Sequence, residues 1–227
     1  MTLFLFDIDG TLLLSGGAGS RALELAFAEV FGIQGAMARV RCDGKTDPLI
    51  AREVLGPRGL DSAENIQRLL ERYLVHLETC LAAAVGYRIF PGVAESLALL
   101  ADRGLPCGLA TGNVEPGARA KLARGRLEQH FRFGGYGSDA EDRAELVRLA
   151  AERGRRLIDD PAAPAVVIGD TPRDVTAAHQ AGLPAVAVAA ANYDRAALEA
   201  AGAELVLDDL HHPERWVPRV LGTVATF

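Results

Sequence analysis

Leu3-Phe4-Leu5-Phe6 runs straight into Asp7-Ile8-Asp9-Gly10-Thr11, and no other stretch restricts the fold of this chain so closely. A short, unbroken apolar run reads as a strand covered on both faces, the condition of a central strand in a parallel sheet. Ligands of open α/β sheets lie beyond the carboxyl ends of such strands, where Asp7 and Asp9 fall. Gly10 permits the turn that brings Asp9 back toward the space beside Asp7. An Asx turn closing an ordinary strand would use the same residues, so the later motifs have to decide.

Beyond Phe90 the sequence alternates short apolar runs with helical stretches. The runs are Pro106 to Ala110, Phe131 to Tyr136, Ala165 to Ile168, Ala185 to Val188 and Leu205 to Leu207. Strand, helix, strand, helix is the pattern of a parallel α/β core. From Ser15 to about residue 88 there is no convincing strand. Leu23, Ala26, Phe27, Val30 and Phe31 recur at helical spacing up to Gly32, and Ile66, Leu69, Tyr73, Leu77 and Leu81 mark a longer helix from about Ser62 to Ala84. Asp47-Pro48 predicts another helix start, with Asp at the N-cap and Pro at the first helical position. The first strand belongs with the residues after 90. The expected architecture is therefore an α/β, Rossmann-like parallel-sheet core, residues 1–14 and 89–227, with an inserted helical cap, residues 15–88.

Composition narrows the partners. The chain has 227 residues, 49% hydrophobic and 24% charged, enough to bury a real core. A net charge of -6 without any dense Lys/Arg block gives no electrostatic footprint for nucleic acid. The longest apolar stretch, near Ala185 to Ala191, is far short of a bilayer span, and the start lacks a basic stretch followed by a long apolar one. No nucleic-acid or membrane partner is expected, and a cytoplasmic monomer or homodimer is. Cys42, Cys80 and Cys107 lack CxxC or metal spacing and read as free thiols of a reducing compartment. Lys45 and Lys121 are the only lysines.

Further clusters fall where strands of the core should end. Thr111-Gly112-Asn113 follows one strand and precedes a helix near Glu115-Pro116, so a hydroxyl and free N–H groups there could cradle a phosphate or simply cap the helix. Gly169-Asp170-Thr171-Pro172-Arg173-Asp174 follows another. Asp174 alone could be a first-turn carboxylate of a helix, but Asp170 should converge with Asp7. Carboxylates so placed repel unless a cation or proton lies between them, and a hard cation such as Mg2+ suits them.

Taken together, these motifs resemble those of the haloacid-dehalogenase-like hydrolases, closest to the phosphoglycolate-phosphatase-like and phosphonatase-like groups with a helical C1 cap. The resemblance covers nearly the whole chain and implies a magnesium-dependent phosphatase acting on a small phosphorylated metabolite. It implies Asp7 as nucleophile and Asp9 as general acid and base. Gly10, Thr11, Thr111, Gly112 and Asn113 would hold the phosphoryl group, and Asp7, Asp9, Asp170 and Asp174 the metal. For the positive residue of motif III, Lys121 lies ten residues past Thr111, roughly 15 Å along a helix at 1.5 Å per residue, which disfavours it. Arg143 is the choice, near a helix that Ser138 and Glu141 open as a capping box. Gly44-Lys45-Thr46-Asp47 resembles the specificity loop of such caps, which makes Lys45 and Thr46 substrate contacts. Dehalogenases and phosphonatases generally lack an acid at the place of Asp9. A phosphomutase of the β-phosphoglucomutase type keeps it and is the alternative, with an idle binding protein on the same fold as a further one.

Overall fold

The computed structural model describes residues 1–227. Strand β1 (Leu3–Phe6) is wholly buried, and its side chains alternate between the faces of the sheet. Phe4 and Phe6 enter one apolar cluster with Val166, Ile168 and Trp216, while Leu3 and Leu5 enter another with Ala165, Val167 and Leu146. This two-sided cover is why the run contains no polar residue. Full burial of each Leu or Phe contributes roughly 1.5–3 kcal/mol, so the run anchors the middle of the sheet.

The chain continues through β2 (Leu13–Ser15), helices α1 (Ala18–Phe31), α2 (Asp47–Leu55) and α3 (Ala63–Ala83), and β3 (Tyr87–Ile89), which pairs antiparallel with β2. Then follow α4 (Val93–Asp102), β4 (Cys107–Thr111), α5 (Glu115–Arg124), β5 (Gly134–Tyr136), α6 (Arg143–Leu157) and β6 (Ala165–Gly169). Helix α7 (Pro172–Gln180), β7 (Ala185–Val188), α8 (Arg195–Ala200), β8 (Leu205–Leu207) and α9 (Pro213–Thr226) complete the chain. Six strands form one sheet in the order β5-β4-β1-β6-β7-β8, with every neighbouring pair parallel. Side chains of α4, α5 and α9 cover one face, and those of α6, α7 and α8 the other. This is the α/β, Rossmann-like core that the sequence predicts.

The helices between β2 and β3 carry a cluster of their own. Ala22, Leu23, Ala26 and Phe27 of α1 join Leu69, Tyr73 and Leu77 of α3, and Ile50, Ala51 and Leu55 of α2 pack with them. Helix α1 stops at Gly32, whose left-handed φ of 67° suits a residue without Cβ. No helix is long and apolar enough to cross a membrane.

Four local expectations are corrected. Thr46, not Asp47, caps α2 by accepting from the Leu49 N–H, which leaves Asp47 as the first helical residue. Asp142, not Ser138, caps α6 by accepting from the Glu145 N–H. Strand β5 omits Phe131 to Phe133, and a Cβ on its Gly135 would lie 1.8 Å from the Leu146 carbonyl oxygen. Finally, the β2–β3 pair supplies a small sheet at the root of the helical segment, too short to show an alternating pattern.

Candidate active site

The register of the central strands sets the site. Phe6 pairs with Leu109 of β4 and with Ile168 of β6, so Asp7, Thr111 and Asp170 lie at the ends of three adjacent strands. The Asp7 N–H continues the ladder, donating to Ile168 O at 2.9 Å. Gly10 turns the chain with a φ of 92°, and a Cβ there would lie 2.2 Å from Asp170 Oδ2. Only glycine fits both demands.

Asp174 is fixed by a capping box at the start of α7. Its Oδ2 accepts from the Thr171 N–H at 3.0 Å and from the Thr171 hydroxyl at 2.7 Å. Arg143, the first residue of α6, donates through Nη2 to Asp174 Oδ1, and the same nitrogen lies 3.2 Å from Asp7 Oδ2. Its Nη1 donates to Gly44 O at 3.2 Å, tying the guanidinium to the loop before α2.

Asp7, Asp170 and Asp174 present oxygen atoms that all lie within 4.8 Å of one another. Burial pushes the Asp7 carboxyl above the usual carboxylate range, opposed by Arg143 and assisted by Asp174 and Asp9. Burial, then Asp174 and Asp7, likewise pushes Asp170 up, against the hydrogen bond from Thr11. One guanidinium is too little positive charge for three crowded carboxylates. An all-oxygen donor set short of positive charge is what a hard divalent cation such as magnesium requires, so the residues fit that ion.

The Asp9 carboxylate lies outside this group of three. Its Oδ2 accepts from Lys121 Nζ at 2.6 Å and from Asn113 Nδ2 at 2.9 Å. Burial alone would raise the Asp9 carboxyl, but the Lys121 ammonium and these hydrogen bonds outweigh it and hold it below the ordinary value. Lys121 also donates to Asn113 Oδ1 at 2.6 Å. Burial disfavours its charge, yet Asp9 and Asp47 raise its pKa above that of a free lysine. Counting from Thr111 disfavours Lys121. Helix α5 begins only at Glu115, so Lys121 is under two turns in, on the face turned to the site, and its long side chain spans the remainder.

These groups line one cavity of about 210 Å³, bounded on the core side by Asp7, Asp9, Thr111 and Asp170 and on the helical side by Gly19, Tyr73 and Lys45. Gly10, Gly112, Asn113 and Arg143 also line it. Thr11 does not. Its hydroxyl donates to Asp170 Oδ1 at 3.1 Å and its N–H to Ile8 O, so it steadies a carboxylate. Thr46 does not line it either, because its hydroxyl caps α2 and donates to Glu141 O at 3.1 Å. Lys45 borders the cavity, but its ammonium is paired with Glu53.

Asp47, read from the sequence as a helix start and as the end of the Gly44–Asp47 loop, joins the two sides. Its N–H donates to Gly112 O at 2.8 Å, and its Oδ2 accepts from the Val114 N–H at 2.9 Å. A Cβ on Gly112 would lie 2.1 Å from Lys45 O, so the loop of α2 rests directly on the backbone after β4. Asp47 and Tyr73 escape notice as cavity residues because each belongs to an ordinary helical pattern. The one available signal was the rarity of lysine, which singled out Lys121.

Residues 1–182 match the family described as haloacid dehalogenase-like hydrolase. The chain is 34% identical over 209 residues to the phosphoglycolate phosphatase of Synechococcus elongatus, covering 92% of this chain and 93% of that protein. It is 30% identical over 224 residues to the phosphoglycolate phosphatase of Rhodospirillum rubrum, covering 94% and 89%. Among solved structures, a hydrolase from Pseudomonas syringae superposes with a TM-score of 0.74 at 26% identity, over 97% of this chain and 99% of the other.

Proposed function

The chain belongs to the haloacid dehalogenase-like hydrolases and is a phosphatase, and from that premise we propose that it hydrolyses a small phosphate monoester of the phosphoglycolate kind with magnesium, through an aspartyl-phosphate at Asp7. The observation that carries this reading is the separation of the two aspartates of β1's turn. Asp7 faces Arg143 and the other carboxylates, while Asp9 faces Lys121 and Asn113. One is set for attack on phosphorus and the other for proton transfer at the departing oxygen.

In the first step Asp7 Oδ attacks in line and the phosphorus–oxygen bond to the leaving group breaks. Arg143 and the Thr111 hydroxyl, both lining the cavity, bear the charge of the phosphoryl oxygens. Magnesium, held by Asp7, Asp170 and Asp174, would add further neutralisation of those oxygens when bound. Asp9 gives a proton to the leaving oxygen and then takes one from the water that hydrolyses the acyl-phosphate. Lys121 keeps the resting Asp9 ionised, which suits the second step. For the first, the proton can arrive with the substrate, whose phosphoryl group titrates near pH 6. The segment 15–88 acts in this reading as a cap over the core formed by residues 1–14 and 89–227, and it supplies the contacts to the leaving group.

The test is phosphate release from 2-phosphoglycolate with added magnesium and with EDTA. Turnover confined to the magnesium arm is expected. Equal rates in both arms refute the metal requirement, and interconversion of sugar-phosphate isomers would select the mutase alternative.

A further inference from the structure

We propose that Tyr87 is a positioning residue for the reaction: its hydroxyl holds the main chain of Lys121, and through Lys121 it sets where the Asp9 carboxylate stands. The proposal rests on the phosphatase reading above and adds to it a residue that lies outside the cavity.

Tyr87 opens β3, in one of the two connections between the core and the helical segment. Those connections touch backbone to backbone. Gly16 turns with a φ of 64°, and a Cβ there would lie 2.7 Å from the Gly86 carbonyl carbon and 2.7 Å from the Tyr87 nitrogen. Ser15 pairs with Tyr87 in the β2–β3 ladder. The main chain of Tyr87 is therefore held from both sides.

Its side chain runs from this root to the last turn of α5, where the hydroxyl donates to Lys121 O at 2.7 Å. In a regular α-helical turn that carbonyl would accept from the Gly125 N–H. The helix ends here, and the Gly125 N–H bonds Leu122 O at 3.0 Å instead. Lys121 O is thus one of the carbonyls that a helix end leaves over, and Tyr87 satisfies it. Arg124 braces the same tyrosine. Its guanidinium carbon lies 4.4 Å from the centre of the Tyr87 ring, and its Nη2 donates to Ala84 O at 2.8 Å, just past the end of α3. Gly125 makes room for the approach, since a Cβ on it would lie 2.6 Å from the Tyr87 hydroxyl oxygen.

The other end of Lys121 belongs to the site. Its ammonium donates to Asp9 Oδ2 and to Asn113 Oδ1, both at 2.6 Å. A lysine head rides on a flexible four-carbon stem, so bonds at the head leave its position open unless the main chain is held as well. Tyr87 supplies that second hold, at a helix end that would otherwise fray. A misplacement of about 1 Å at a reacting centre can cost about 100-fold in rate. The cost falls on proton transfer by Asp9, which matters most when the leaving oxygen is strongly basic.

The experiment compares kcat/KM on two esters with magnesium present. One is 2-phosphoglycolate, whose leaving group is an alkoxide, and the other is p-nitrophenyl phosphate, whose phenolate departs with little help from an acid. Tyr87→Phe keeps the ring beside Arg124 and removes only the hydroxyl. It should lower kcat/KM about 10-fold on 2-phosphoglycolate and less than about twofold on the aryl ester. Lys121→Met should show the same asymmetry more strongly, and adding Tyr87→Phe to it should cost nothing further on either ester. Equal losses on the two esters, no loss on either, or an undiminished further loss in the Lys121→Met background would overturn the positioning role and leave the phosphatase reading intact. Failure of the wild-type protein to release phosphate from either ester overturns both.

Discussion

Replacing Asp47 by Asn removes a buried charge while keeping an oxygen that can accept from the Val114 N–H. Burial pushes the Asp47 carboxyl up to about 6 from an ordinary 3.8, with Lys121 and the Val114 N–H opposing and Asp9 adding to the rise. The folded state thus holds this proton more tightly than the unfolded chain. The stability it contributes is full below pH ~4 and is lost as pH rises through about 6. The gap corresponds to roughly 3 kcal/mol at 1.36 kcal/mol per pH unit. Asparagine resembles the protonated form at every pH. Asp47→Asn should therefore be more stable than the wild type by roughly 1–3 kcal/mol at pH 8, with the gain shrinking toward pH 4.5. At about 2–4 °C per kcal/mol for a chain of this size, the melting temperature at pH 8 should rise by roughly 2–12 °C. Thermal unfolding followed by circular dichroism at several pH values from 4.5 to 8 makes the comparison. A variant no more stable than the wild type at pH 8, or a gain that does not change with pH, would refute the account of Asp47 as a charge buried at a cost in stability.

Two further substitutions test the site. Asp7→Asn should abolish phosphate release, since an amide cannot form the acyl-phosphate, and its far-UV circular dichroism should match the wild type; residual turnover above a hundredth of the wild-type rate would exclude Asp7 as the nucleophile. Gly112→Ala places a methyl 2.1 Å from Lys45 O and strains the Asp47 N–H bond to Gly112 O. Overpacking of this kind costs about 1–3 kcal/mol, read as a lowered melting temperature together with lost activity on 2-phosphoglycolate, and an unchanged melting temperature would show that the two sides do not rest on each other there.

The core was legible in the sequence because its strands are buried on both faces. A parallel strand with no solvent side leaves an unbroken apolar run, as in Leu3–Phe6 and Ala165–Gly169, and the residue after it falls at a strand end by geometry alone. Asp7 and Asp170 could be placed together on that ground before any coordinates. Arg143 also lies beside Asp7, at the start of the helix after β5, although the cap of that helix was misplaced by several residues. What the sequence could not determine was which way helical side chains face when helices from the two halves meet. Lys121, Tyr73 and Asp47 each sit in a helix whose pattern accounts for them without any site. A hydroxyl that steadies Asp170 or caps α2, as those of Thr11 and Thr46 do, reads in the sequence like one that binds phosphate. Periodicity fixes a residue's place within its own element. The packing of α1, α2 and α3 over the ends of β1, β4 and β6 depends on contacts between residues far apart in the chain, such as Lys121 with Asp9 and Asp47 with Val114, and only the tertiary structure decides those.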